Sequence, residues 1–110
     1  EIDNFLIKEL ENKFMTAMIA AYNIFGNTAF RKSQKSPINK SLFEAWSVIL
    51  SQLNPQQIDM LINRKELLRE RFIEKMRTDN DFNRSISQAA NKVKYRFEKI
   101  NQIVQEVLSC

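Results

Sequence analysis

Residues that make turns are almost missing from this chain: one glycine and two prolines serve 110 residues. A small β-sandwich or barrel needs a turn signal roughly every 8–12 residues. With so few, the backbone has little choice but long helices joined at a handful of places. Those places are easy to find: Gly26, Pro37, Asn54-Pro55 and the polar string Thr78-Asp79-Asn80-Asp81.

Between these breaks, apolar residues recur at three- and four-residue steps, the period of a helix with one buried face. Leu6, Leu10, Phe14, Ala17, Ala21 and Phe25 form such a stripe over 3–25. Met15, Met18, Ile19 and Ala20 add apolar residues on other faces, which predicts a central helix packed on several sides. Gly26 follows, where a helix ends in a left-handed residue. The stretch 27–37 reads as the main loop, with Phe30 as its anchor. Asn39 is a candidate N-cap for the next helix, and Ile38 and Phe43 are spaced for a hydrophobic staple across it. Leu42, Trp46, Ile49, Leu50 and Leu53 supply its inner face. Asn54, Pro55 and Gln57 spell a helix restart with a capping box. Asn63 with Glu66 reads as another box, where the helix breaks or runs on. Leu67, Leu68, Phe72, Ile73 and Met76 then face inward, and Asp79 and Asp81 precede a short helix bearing Phe82 and Ile86. A second weak point falls at 87–91. The last helix, 92–108, carries Val93, Phe97, Ile100, Val104 and Val107. The expectation is an all-α bundle of about five helices in one domain, 1–110.

Composition narrows the chemistry. No histidine occurs, which removes the commonest general base and every Ser-His or Cys-His dyad. The one cysteine, Cys110, allows neither an internal disulfide nor a cysteine-histidine zinc site. One glycine cannot form a Walker loop or a dinucleotide fingerprint. Asp79 and Asp81 are the tightest acidic pair, and Asp beside Asn ahead of a helix caps free N–H groups more often than it binds metal. The expectation is therefore no enzyme active site, no metal and no cofactor. No apolar run approaches the ~18 residues of a membrane span, and the expected compartment is the cytoplasm. The chain opens on Glu1 rather than Met, which suggests a piece of a longer polypeptide.

Net charge is +4, a mild excess that permits an acidic partner without requiring one. Its densest part is the loop, where Arg31, Lys32, Lys35 and Lys40 occur without an intervening acid. Such a loop beside a helix N-terminus is a candidate phosphate or nucleic-acid contact, although basic loops are common and phosphate sites are not, so the plainer reading is a solvated loop of a basic protein. Lys92, Arg96 and Lys99 line up along the last helix, a pattern expected of a solvent face. Arg96 stands apart because it adjoins Phe97 at the core stripe. It is placed to reach Glu44 or a capping group, which makes Asn39, Glu44 and Arg96 the candidate structural polar residues.

Three strings, AFRKSQKSPINKSLFEAWSVIL (29–50), DFNRSIS (81–87) and KVKYRFEKI (92–100), stand in this order and spacing. Together they resemble the C-terminal helical region of the GmrSD-like family of bacterial proteins, with INKSLFEAW the most specific part. Members of that family carry an N-terminal ParB-like domain, often an HNH nuclease domain, and are linked to phage defence by restriction of modified DNA. The strings contain no catalytic motif. The resemblance therefore implies a non-catalytic helical domain that packs on the ParB-like domain or a partner subunit and assists in binding DNA. One departure is local: where relatives tend to have a Gly-Thr turn, this chain has Gln88, Ala89 and Ala90. Two other readings stand beside it, a stand-alone helical protein-interaction module and direct nucleic-acid binding through loop 31–40.

Overall fold

A computed structural model describes residues 4–88 and 92–110. The expected helix start at residue 3, and most of the Gln88-Ala89-Ala90 departure, lie outside the described residues. Six α-helices occur among those that are described: α1 (Asn4–Phe25), α2 (Lys40–Ser51), α3 (Pro55–Asn63), α4 (Lys65–Thr78), α5 (Asn80–Ser87) and α6 (Val93–Leu108). A single 3₁₀ turn, Gly26–Thr28, follows α1. The count exceeds the expected five because the stretch after Pro55 breaks at Arg64. The backbone there leaves helical geometry (φ −109°, ψ 27°) to end α3 and begin α4.

Local chemistry accounts for most of the boundaries. Gly26 has φ +58°, the left-handed conformation that ends α1 without a Cβ penalty. Asn39 extends its backbone and accepts the Leu42 N–H at 3.0 Å, capping α2. Asn54 and Gln57 form a reciprocal capping box at α3, with Pro55 in the first turn. The Asn63–Glu66 box is not formed; Asn63 is the last residue of α3, and α4 begins without a side-chain cap. The expected Ile38–Phe43 staple gives way to a different contact. Ile38 stays largely exposed, and the Phe43 ring meets Phe30 and Phe14 edge-on at 5.1 and 6.3 Å.

The core is knit by aromatic rings from four helices. Phe25 (α1), Trp46 (α2), Phe72 (α4) and Phe82 (α5) touch in edge-to-face pairs with centroids 5.0–6.2 Å apart. α6 packs against α2, α3, α4 and α5, burying Ile100, Ile103, Val104 and Val107, while α1 lies mainly on α2.

α1 departs most from expectation. Its buried residues are Ala17, Ala20, Ala21, Ile24 and Phe25, all in its C-terminal half. Leu6, Leu10 and Phe14 continue the buried stripe toward the N-terminus but lie about half exposed. Met15, Ile19 and Tyr22 form a second exposed stripe. The helix is therefore not central: about 33 Å long at 1.5 Å per residue, it outruns the cover its neighbours provide. Ile73 and Val93, also expected inside, are exposed too.

Candidate functional site

The loop between α1 and α2 is closed on itself by hydrogen bonds. The Thr28 hydroxyl donates to the Phe25 carbonyl at 2.7 Å, the Arg31 N–H to Thr28 at 3.0 Å, and the Asn39 N–H to the Phe30 carbonyl at 2.7 Å. Phe30 holds φ +63°, a conformation uncommon for a bulky side chain. Its ring lies against Phe43, so packing offsets the strain.

This closure divides the basic residues. Arg31 donates through Nη1 to the Ser36 carbonyl at 2.7 Å, and Lys32 reaches 2.9 Å to the Ser87 hydroxyl at the end of α5. Both line an indentation between the loop, α2 and α4. Lys35 and Lys40 are exposed and do not line it.

That indentation is a cavity of about 340 Å³. Phe25, Trp46, Phe72 and Met76 form its floor, and Phe30 and Ile73 form its walls. Three cations, Arg31, Lys32 and Arg69, stand among its lining residues with no carboxylate between them. A second, more open cavity of about 420 Å³ adjoins Lys32 on the α5 side, and its other lining residues, Asn80, Asn83, Arg84 and Ser87, all carry polar side chains. Lys32 lines both. The acids at the start of α5 are engaged elsewhere: Asp79, its N-cap, accepts the Phe82 N–H and the Tyr95 hydroxyl, and Asp81 pairs with Lys92 at 3.2 Å.

Two of the structural polar candidates, Asn39 and Arg96, meet at the C-terminal end of α5. Arg96 is 1% exposed and donates through Nη1 to the Ser85 carbonyl. Asn39, while capping α2, also donates its amide to the Ile86 carbonyl at 3.2 Å. Two carbonyls that a helix end leaves without partners are thus satisfied, one from α6 and one from the residue before α2. Burial pushes the Arg96 pKa down, and the exposed Glu44 carboxylate acts in the opposite direction. The expected alignment of Lys92, Arg96 and Lys99 on one solvent face does not occur, because Arg96 turns inward. Lys92, with φ +54°, precedes the helix, and it and Lys99 lie 5.8 and 5.3 Å from the Tyr95 ring centre.

Tyr95 links α6 to α5 through a 2.7 Å bond from its hydroxyl to Asp79. That bond is the main reason the Asp79 pKa lies below the usual carboxylate value and the Tyr95 pKa is pushed up to about 12. Asp79's contribution to stability is present above pH ~4 and is lost as pH falls through its depressed pKa. The tyrosine's contribution is whole below pH ~10 and disappears as pH rises toward 12. Tyr95→Phe should cost about 1–2 kcal/mol at neutral pH and flatten both losses. Urea unfolding midpoints across the pH range check this, and an unchanged acid limb in the variant would contradict it.

Arg69 and Arg84 belong to no motif that marks them in the sequence; the one available signal is that Arg69 precedes Phe72 and Ile73 by three and four residues and so shares their side of α4. Among the described residues, no three Cys, Asp or Glu side chains gather as a metal site would need, and no helix is long and apolar enough to cross a membrane. No protein-family model, curated protein or solved structure matches this chain.

Proposed function

We propose that this chain is a non-catalytic helical domain of a GmrSD-like phage-defence protein, and that the uncovered face of α1 packs on the family's ParB-like domain. The observation that carries the reading is the run of large apolar side chains left in solvent on α1. It is the stripe at positions i, i+4 and i+7 formed by Met15 and Ile19, each 57% exposed, and Tyr22, 64% exposed. A contiguous apolar surface of this kind on a small domain marks a place where another protein sits.

The chemistry of the face favours protein over nucleic acid. Its charged neighbours are Lys8, Glu9, Glu11 and Lys13, two of each sign. A balanced polar rim around an apolar centre suits a protein interface, whereas a phosphate backbone calls for excess positive charge. In the family that the sequence resembles, the ParB-like domain precedes the helical region. Here it is the first helix that carries the uncovered face.

The test is association between this chain and the ParB-like portion encoded in the same gene, measured by calorimetry. A one-to-one complex is expected. Met15→Glu with Ile19→Glu should weaken it by at least about tenfold, since two apolar side chains of ~1.5–3 kcal/mol each lose their burial. Both residues are exposed in the isolated chain, so its melting temperature should hold. A parent gene without a ParB-like region, or full affinity in the double variant, would sink the proposal. Self-association through the same face would instead favour a stand-alone interaction module.

A further inference from the structure

We propose that the two adjoining cavities form one binding site for a nucleotide, taking the base in the apolar cavity and the phosphate in the polar one. This is independent of how the exposed stripe of α1 is covered, since none of Met15, Ile19 and Tyr22 lines either cavity.

The apolar cavity is the right kind of place for a flat ring. Its floor is the aromatic cluster of Phe25, Trp46 and Phe72, already held edge-to-face by the core and so fixed before any ligand arrives. Its volume of about 340 Å³ lies at the small end of ligand sites, enough for one heteroaromatic ring system and too little for a long acyl chain. Arg31 and Arg69 line it, and guanidinium planes stack on bases. Arg31 is tied back to the Ser36 carbonyl, which holds its guanidinium in position.

The polar cavity complements it. Lys32 and Arg84 bring two positive charges, and Asn80, Asn83 and Ser87 bring hydrogen-bonding groups. The carboxylates nearest in sequence, Asp79 and Asp81, are bound to Tyr95 and Lys92 of the α6 side. No carboxylate lines either cavity. Lys32 belongs to both cavities, so a single ligand spanning them has its charged group beside its ring, which is the layout of a nucleotide. The source can be a free mononucleotide or an unstacked nucleotide of a single strand, because both offer the same ring and phosphate.

Trp46 is the single tryptophan and lines the apolar cavity, so the protein carries its own reporter. The experiment is a titration followed by Trp46 emission, excited at the red edge to avoid base absorbance, and by backbone amide shifts. The probes are the four ribonucleoside monophosphates, the matching nucleosides, inorganic phosphate, a mixed-sequence single-stranded DNA and its duplex. A saturable change with at least one monophosphate is expected, about tenfold weaker for its nucleoside. Lys32→Ala with Arg84→Ala should weaken it at least about tenfold, as loss of charge-assisted bonds does. Ile73→Glu, an exposed position at the cavity wall, should abolish it, and unchanged melting curves of these variants show that the fold persists. Tighter binding of the single strand than of any mononucleotide assigns the source to nucleic acid; the reverse assigns it to free nucleotide. The proposal is overturned by the absence of a saturable response to every nucleotide and strand. It is equally overturned by a response that inorganic phosphate reproduces, or by one that survives both sets of substitutions.

Discussion

Arg96→Ala should lower the stability of this domain by about 3 kcal/mol, a shift of roughly 10–20 °C in melting temperature. Two losses add. The Ser85 carbonyl, at the end of α5, is left buried without its donor, and the cavity once filled by a long alkyl stem opens between α5 and α6. A third effect runs the other way. Burying a cation is costly, as the lowered Arg96 pKa shows, and alanine removes that cost. Arg96→Met separates the contributions, because it fills the space without the charge. It should cost about half as much as alanine. Thermal and urea unfolding of the two variants measure the difference. If methionine were as damaging as alanine, the hydrogen bond and not the packing would carry the residue.

Phe72→Ala should be at least as severe, at about 3–5 kcal/mol, a large share of the ~5–15 kcal/mol that holds a domain of this kind together. Phe72 touches Phe25, Trp46 and Phe82, so it is the ring through which α1, α2 and α5 meet α4. Its removal forfeits area and three edge-to-face contacts at once. Phe72→Leu keeps most of the volume and should cost about 1–2 kcal/mol, chiefly from lost ring contacts. A loss below ~1 kcal/mol for the alanine variant would mean that the surrounding helices collapse into the space. Trp46 emission would report that collapse directly, since its ring is a neighbour at 5.6 Å.

Helix content and the caps at Asn39 and Asn54 were legible in the sequence because both are decided within a few residues. A missing glycine, a proline at a first turn and an Asn three residues ahead of its partner act locally. The inner face of α6 was legible for the same reason, since periodicity places Ile100, Val104 and Val107 on one side whatever they pack against. The outcome on α1 shows the limit of that rule. Periodicity tells which residues share a face, and nothing in Leu6 or Leu10 says whether another helix reaches far enough to cover them. The cavities were invisible for a different reason. They join residues 25–34 to residues 69–76 and 80–87, and such proximity exists only after the helices have packed. Arg96 lies between these cases. A charge beside Phe97 hinted at a buried role, but the Ser85 carbonyl it satisfies could not be guessed from spacing.

Arg64 joins a backbone break to a long-range tether. Its backbone separates α3 from α4, and its Nη1 donates to the carbonyls of Val107 and Leu108 at 2.9 and 3.2 Å. The final turn of a helix usually frays, because its last carbonyls face water. Here those carbonyls are held by a guanidinium more than forty residues earlier in the chain. The end of α6 therefore opens with the middle of the domain and not by itself, and a segment that would otherwise loosen first becomes part of the last cooperative unit to come apart.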